Sequence, residues 1–469
     1  MSLFSEHLTR GQFCISFEYL TTAKPQHVVN HFAGFPAFMT LADRVQTDTD
    51  PTPLEVANDY PQQVEKILHF SGKGRDISDF EVFLDEAQEQ SIENLLLLTG
   101  DKLKQHNDGV HNPALRSRYL ESVNQVMAAK QRGGFYLGVA FNPFKYAQAE
   151  RDAQYFKLEK KIKAGADYVI TQLGFDTQVL ADYQQYMQQH FAQIPVLACI
   201  MPLTFARARF MAKQKVAGIV LTPYMLSFLQ QEQLADAQQA EKNVYARCAL
   251  QILMCQKMGY AGVHLSACHK AQEQKKLALA LVEYAKLSLQ ECQNLWTTLW
   301  QSNSVEDFQP ISAHDHAAPL EQVLKYKSMH LMHEVFFSSK MAKGVGGLIF
   351  AAKLWNKPKA DDALLKTEFI SKHGIVGCES CGQCRLGETL YICPETCPKG
   401  LANGPCGGTT LDRCEFEDRE CIHSVKARLA QSVGQTEVLK QSLIPTVAIE
   451  ARQTSSWKNW FYPQKSELS

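Results

Sequence analysis

Along most of its length the chain alternates short, unbroken apolar runs with longer stretches in which apolar residues recur every three to four positions. The short runs predict strands over 14–20, 37–42, 67–71, 95–98, 136–141, 168–172, 196–200 and 262–266. The longer stretches predict helices between them, such as 77–90, 116–132 and 178–191. The clearest single unit is KKIKAGADYVITQLGFD, residues 160–176. There a lysine-rich helix closes at Ala164-Gly165, a buried strand follows at once, and polar residues stand at that strand's C-terminal end. Eight such units in one run, with a closing helix over 271–300, predict an α/β fold: a TIM (β/α)8 barrel over 1–300. The seventh-to-eighth connection is long, and we read its apolar run 216–221 and helix 241–259 as an insertion.

Past the barrel the pattern breaks. Residues 301–319 are polar and open a linker drawn over 301–330; a helix is expected over 320–338, and a C-terminal domain over 331–469. A net charge of -1 and a hydrophobic fraction of 45% give no electrostatic reason to bind nucleic acid or membrane. No apolar run is long enough for a membrane span, and MSLFSEHLTRG has no signal-peptide core, so a cytoplasmic protein is expected. Of 14 cysteines, eight fall between Cys378 and Cys421, and in a reducing compartment such clustering points to metal rather than disulfides.

In a parallel barrel the chemistry sits at the C-terminal ends of the strands. Glu18, Thr40, His69, Asp101, Asn142-Pro143 and Gln172 occupy such ends on six successive strands. Glu18, set between Phe17 and Tyr19, is expected to be desolvated with a raised pKa, as suits a general acid.

SFEYLTTAKP, LLLLTGDKL, IPVLACIMPLTF and above all KKIKAGADYVITQLGFD make residues 13–290 resemble the methylenetetrahydrofolate reductase family, a flavin-bearing TIM barrel. The resemblance implies reduction of 5,10-methylenetetrahydrofolate to 5-methyltetrahydrofolate, or its reverse, with FAD as cofactor and NAD(P)H or a protein as electron donor. It also implies roles: Glu18 the acid that opens the substrate's five-membered ring, Asp101 a charge near flavin and pterin, and Gln172 a hydrogen-bonding partner of the substrate. Thr40, His69, Gly100, Asp101 and Lys161 fall at flavin positions and Phe205 near a substrate-stacking one. The chain departs from the family at Thr99, where arginine is usual, at Phe141 and Lys145, and around 263–270. Those departures motivate an alternative: a non-catalytic electron-transfer or scaffold subunit of a folate reductase complex. A homo-oligomer or a redox partner protein is compatible with either reading.

Cys378-x-x-Cys381-x-x-Cys384, Cys393-Pro, Cys397-Pro-Lys, NGPCGG with Cys406, Cys414 and Cys421 fit one or two four-thiolate sites, iron-sulfur or zinc. The block resembles the cysteine domain appended to some reductases of that family, and an electron relay or docking role follows from the resemblance. His330 and His333, His314 and His316, Gly344-x-Gly346-Gly347, and Cys248 with Cys255 read as surface or core positions without chemistry.

Overall fold

The computed structural model describes residues 2–23, 28–45, 47, 49–102, 119–302, 304–310 and 317–462. The strands are β1 Cys14–Leu20, β2 His31–Phe32, β3 Phe35–Ala42, β4 Lys66–Ser71, β5 Asn94–Leu98, β6 Tyr136–Phe141, β7 Tyr168–Thr171, β8 Val196–Ile200 and β9 Gly262–Leu265. Every neighbouring pair from β3 to β9 is parallel, and β1 pairs in parallel with both β3 and β9, which closes an eight-stranded barrel. The two-residue β2 only extends β3 as an antiparallel turn. Helices between the strands cover the outside, as right-handed βα units require.

The hydrophobic pattern does not predict the helix Leu3–Thr9. It is capped by Ser2 and carries Phe4, fully buried, against Phe38 and Tyr168 at 5.1 and 5.3 Å between ring centres. The unit 160–176 forms as expected: the helix Gln148–Ala164 ends at a left-handed Gly165, and β7 follows. The expected closing helix is instead two helices, Ala271–Tyr284 and Leu289–Trp300. Ser288 and Glu291 form a reciprocal capping box that starts the second helix afresh. The long connection contains the helices Phe205–Gln214, Pro223–Ala235 and Ala237–Lys257. Val216, Ile219 and Leu221 are not a strand; they pack as a loop against the main core. Of the helix expected over 116–132, the part Ser122–Arg132 is seen and 116–118 lie outside the described residues, as do His314 and His316.

Beyond the barrel lie the helices Leu320–His333, Lys340–Phe350, Pro358–Val376, Ile422–Val433 and Ser456–Phe461. The first of them continues through a wider π-helical turn, Glu334–Ser338, so the helical segment ends at the expected 338. Between residues 377 and 421 the described helical segments are the short turns Leu386–Thr389 and Pro394–Thr396. That segment folds back onto the barrel. The Glu121 carboxylate accepts from the Asn403 amide at 3.1 Å, and Lys157 donates to the Gly404 and Pro405 carbonyls at 3.1 and 3.0 Å. Among the described residues no helix is long and apolar enough to cross a membrane.

Candidate active site

Barrel register brings Glu18, Thr40, His69 and His264 to one mouth. Glu18 stands opposite Thr40 across β1 and β3, and Ser16 opposite His264 across β1 and β9. The Ser16 hydroxyl lies 3.0 Å from His264 Nδ1, and His264 Nε2 lies 3.9 Å from a Glu18 oxygen. Ser266 donates to the other Glu18 oxygen, and the His69 and His264 rings are 5.8 Å apart. Two strands, β1 and β9, therefore share one acid-imidazole unit, in which Glu18 is partly accessible, and His69 of β4 stands beside it.

The electrostatics of that unit overturn one expectation. Burial alone pushes the Glu18 carboxyl up, but the hydrogen bond and charge of His264, the charge of His69 and the Ser266 hydroxyl outweigh it and hold the pKa at about 2. Glu18 is thus an ionised carboxylate, not the protonated acid its apolar neighbours suggest. His69, by contrast, is driven down to about 3 by burial and then by His264, with Glu18 opposing. It is a neutral imidazole at any ordinary pH. His264 makes the difference, and its signal in the sequence is the polar pair His264 and Ser266 at the C-terminal end of the eighth barrel strand.

The Thr40 hydroxyl and His69 Nε2 are both buried without a hydrogen-bond partner. Buried polar atoms seldom stay unpaired. Two such orphans on adjacent strands fit the nitrogen- and oxygen-bearing edge of a planar heterocycle, which is the chemistry a flavin presents.

The second part of the mouth is built from two distant stretches of chain. Gly100, with φ 84, sits so close to Ser71 and Lys73 that a Cβ would lie 2.2 Å from the Ser71 hydroxyl, so a side chain is excluded there. Its carbonyl accepts from Lys399 at 2.9 Å, and Lys399 is ion-paired to Glu415. Glu415 also accepts from the Lys102 amide at 2.7 Å and from the Cys406 thiol at 3.2 Å. Asp101 remains solvent-accessible in this crowded recess. Although part of the residue meets solvent, protein crowding around the carboxyl, then the Glu415 charge, raise its pKa against the opposing charges of Lys399 and Lys73. Asn142 donates to the Gly218 and Gly407 carbonyls, each at 2.9 Å, and Lys145 grips the Gly407 and Thr409 carbonyls. The Asn142 and Lys145 side chains thus anchor the NGPCGG loop.

Other expected site residues are occupied elsewhere. The Gln172 amide donates to the Ala217 carbonyl at 3.2 Å while its oxygen accepts from the Leu173 amide. Lys161, driven down to about 7 by burial and by Lys157, donates to the Ala140 carbonyl of β6. Phe205 begins the helix after β8, with the Arg209 guanidinium 5.6 Å over its ring. Thr99 accepts from the Ser122 amide at 3.2 Å and so holds the start of the helix Ser122–Arg132.

All the cysteines are free thiols. Cys14, Cys199, Cys248, Cys255, Cys268 and Cys292 are buried in the barrel core. The other eight divide into two fours. Cys378, Cys381, Cys384 and Cys393 line one cavity of about 20 Å³ together with Arg385, Lys372 and Glu368. Burial, then the charges of Cys397 and Cys414, push Cys421 up to about 12, and Cys421 and Cys397 act in turn on Cys406. The second four is therefore Cys397, Cys406, Cys414 and Cys421. Among the described residues no three His, Cys, Asp or Glu stand close enough to hold a metal ion. Thiols are the donor type that iron-sulfur and zinc centres use, and Lys372 and Arg385 line the first four while Lys399 lies beside Cys406. The buried Lys426 ammonium has no hydrogen-bond partner and interacts with Cys397 and Cys393, one cysteine of each four.

Residues 3–281 match the family described as methylenetetrahydrofolate reductase, and residues 358–449 match that described as methylene-tetrahydrofolate reductase C terminal. The chain is 24% identical over 311 residues to methylenetetrahydrofolate reductase (NADH) 1 of Arabidopsis thaliana, covering 60% of this chain and 50% of the relative. It is 22% identical over 271 residues to methylenetetrahydrofolate reductase 2 of Saccharomyces cerevisiae, covering 53% and 43%. It therefore spans half or less of the length of these relatives. A Clostridium thermocellum protein solved with 5-methyl-5,6,7,8-tetrahydrofolic acid overlaps 61% of this chain and all of its own, at 14% identity and a TM-score of 0.41. With well over half its length matched by the family model, the chain belongs to the methylenetetrahydrofolate reductase family of oxidoreductases.

Proposed function

We propose that this protein interconverts 5,10-methylenetetrahydrofolate and 5-methyltetrahydrofolate at the mouth formed by β1, β3, β4 and β9. The observation that carries the reading is the Ser16–His264–Glu18–Ser266 unit, with two unpaired buried polar groups, Thr40 and His69, beside it. FAD would be held by Thr40, His69, Gly100, Asp101 and Lys161, and when bound it supplies the hydride. The chain's own task is the proton. Glu18, with Ser266 on one oxygen and His264 beside the other, is the group placed to handle the proton as the substrate ring opens between N5 and N10, with Ser16 fixing the imidazole. Asp101 sets the charge near the pterin. Gln172 turns from its backbone contacts to the substrate edge, and Phe205 flanks the ring.

The two cysteine fours would each hold a thiolate centre, iron-sulfur or zinc. An iron-sulfur centre supplies one-electron steps; zinc supplies structure only. The contact from Cys406 through Glu415 and Lys399 to Gly100 puts the second four directly against the barrel mouth, which favours a relay from a protein donor over direct NAD(P)H use. Purified Glu18→Gln should retain flavin and lose folate turnover by about two to four orders of magnitude. Near-normal turnover would remove the unit from the mechanism. One observation favours the non-catalytic reading: Thr99, in place of a charged residue, is spent on the Ser122 amide. A colourless preparation, inert to folate after flavin reconstitution and co-purifying with another flavoprotein, would select that alternative.

A further inference from the structure

The segment 335–360 differs from the rest of the chain in composition and in exposure. It contains Lys340, Lys343, Lys353, Lys357 and Lys359 and no aspartate, glutamate or arginine, although the whole chain carries a net charge of -1. All five lysines are exposed, and none has an ion-pair or hydrogen-bond partner among the described residues. The acids that follow in the chain are already engaged, Asp361 with Lys458 at 2.9 Å and Asp362 with Lys366 at 2.7 Å, and Glu334 before it lies 3.9 Å from His333 Nδ1. The helix Lys340–Phe350 is the centre of the segment, and one of its sides is fixed. Gly346 is buried where a Cβ would lie 2.4 Å from the Phe461 ring, and Phe350 stacks on that ring at 5.6 Å and 5°. The glycine motif at 344–347 is thus a helix-packing device rather than a phosphate loop. The side turned away from Phe461 carries Met341, Val345, Leu348 and Ile349, at the i, i+4, i+7, i+8 spacing of a single stripe. Such a stripe normally faces a core, yet here Met341 and Leu348 are 74% and 79% exposed. Val335 and Phe336 before the helix and Leu354 after it extend the exposed apolar set.

We infer that this face docks on the surface of an anionic lipid bilayer, with the helix Lys340–Phe350 lying in the plane of the interface. The charge selects an anionic surface, because five unpaired cations with no acid among them attract it. The apolar stripe argues against nucleic acid, whose phosphates offer those side chains nothing. The kind of cation separates lipid from a protein partner. Protein interfaces favour arginine and are depleted in lysine, whereas a lysine at a lipid surface lays its apolar stem along buried carbon and keeps its ammonium in water. Trp460 and Tyr462, on either side of Phe461, are exposed as well, and amphipathic rings of this kind settle at headgroup depth. The helix is too short to span a bilayer, and lying in the interface requires no crossing. The chain's near-neutral total charge conceals this surface, because the lysines are concentrated in one segment and balanced by acids elsewhere. This claim stands apart from the folate reading, because its readouts require no folate.

The test is flotation of the full chain with vesicles of phosphatidylcholine alone and of phosphatidylcholine mixed equally with phosphatidylserine, at low and at raised salt. We expect the chain to float with the mixed vesicles only and to leave them as salt rises. Lys343→Gln, Lys353→Gln and Lys357→Gln together should weaken binding about a hundredfold, since each lysine at an anionic surface is worth about fivefold. Leu348→Asp, at the most exposed position of the stripe, should weaken it about tenfold or more and leave Tm unaltered. Leu234→Asp, equally exposed on the barrel helix Pro223–Ala235, should leave binding unchanged. Failure to float with the mixed vesicles would overturn the inference, as would equal flotation with phosphatidylcholine alone, or flotation that the lysine and Leu348 variants leave intact. Absence of flotation together with self-association that Leu348→Asp abolishes would also overturn it, and would assign the face to a second copy of the chain.

Discussion

The barrel mouth and the cysteine segment are held together in opposite ways. At the mouth, Glu18, Thr40, His69 and His264 stand on strands whose partners on both sides fix their positions, above a core that includes Phe17, Met39, Leu68 and Leu265. In the cysteine segment the backbone makes short turns with left-handed residues such as Ser380, Leu390 and Tyr391. Its apolar cluster is small, comprising Tyr326, Val376, Leu386, Leu390, Tyr391, Cys393, Leu429 and Ala430. What fixes it is polar: Arg385 and Arg452 on the fully buried Glu395 carboxylate, Lys399 on Glu415, and the barrel's own Glu121, Lys145 and Lys157. A small apolar core with buried thiols is the composition of a segment that needs an additional cross-link. The barrel site is therefore self-supporting, whereas on the proposed reading the cysteine segment would gain order from a centre held by its thiols.

The largest expected effect separates the two. The double change Cys384→Ser and Cys393→Ser, or removal of metal by a strong chelator, should open the segment between 377 and 421 to protease while the barrel stays resistant. Structural thiolate centres contribute on the order of 10 kcal/mol to the folds that hold them. Limited proteolysis with metal analysis reads this directly, and an unchanged cleavage pattern would mean that polar contacts alone suffice.

A smaller effect tests the seam between the regions. Glu415→Gln removes the like charge that helps raise the Asp101 pKa. The Asp101 pKa should then fall, and the acidic limb of the pH–rate profile should move to lower pH with turnover changed by roughly tenfold or less. A profile that does not move would disconnect Asp101 from the cysteine segment. Smallest is a change within the barrel scaffold. Ser288→Ala deletes the capping box before the helix Leu289–Trp300 and should cost about 1 kcal/mol, seen as a lower Tm with unaltered kinetics.

The same contrast explains what could be read from the chain. Barrel strands are legible because each is a short apolar run bounded by polar or turn residues, and the polar residue ending each run announces the mouth. The partition of the cysteines is legible only as clustering, because nothing local says that Cys393 closes the first four and Cys397 opens the second. Glu18 shows the limit most sharply. Its sequence neighbours, Phe17 and Tyr19, predict a raised pKa, while its partners His264 and Ser266 lie 246 and 248 positions away and reverse the sign. A pKa is set by spatial neighbours, and β1 meets β9 only when the barrel closes. The helix Leu3–Thr9 and the break before Leu289 had local signals, a Ser2 cap and the Ser288–Glu291 box, which the longer hydrophobic pattern obscures.

The most direct test of the barrel account is an anaerobic single turnover of the reduced protein with 5,10-methylenetetrahydrofolate, comparing Glu18→Gln, His264→Asn and the double variant. If the carboxylate and imidazole hold one proton as a unit, each single change slows the step by a similar factor, about a hundredfold or more, and the double variant is scarcely slower than either. A His264→Asn rate close to that of the unaltered protein, or losses that multiply in the double variant, would contradict it.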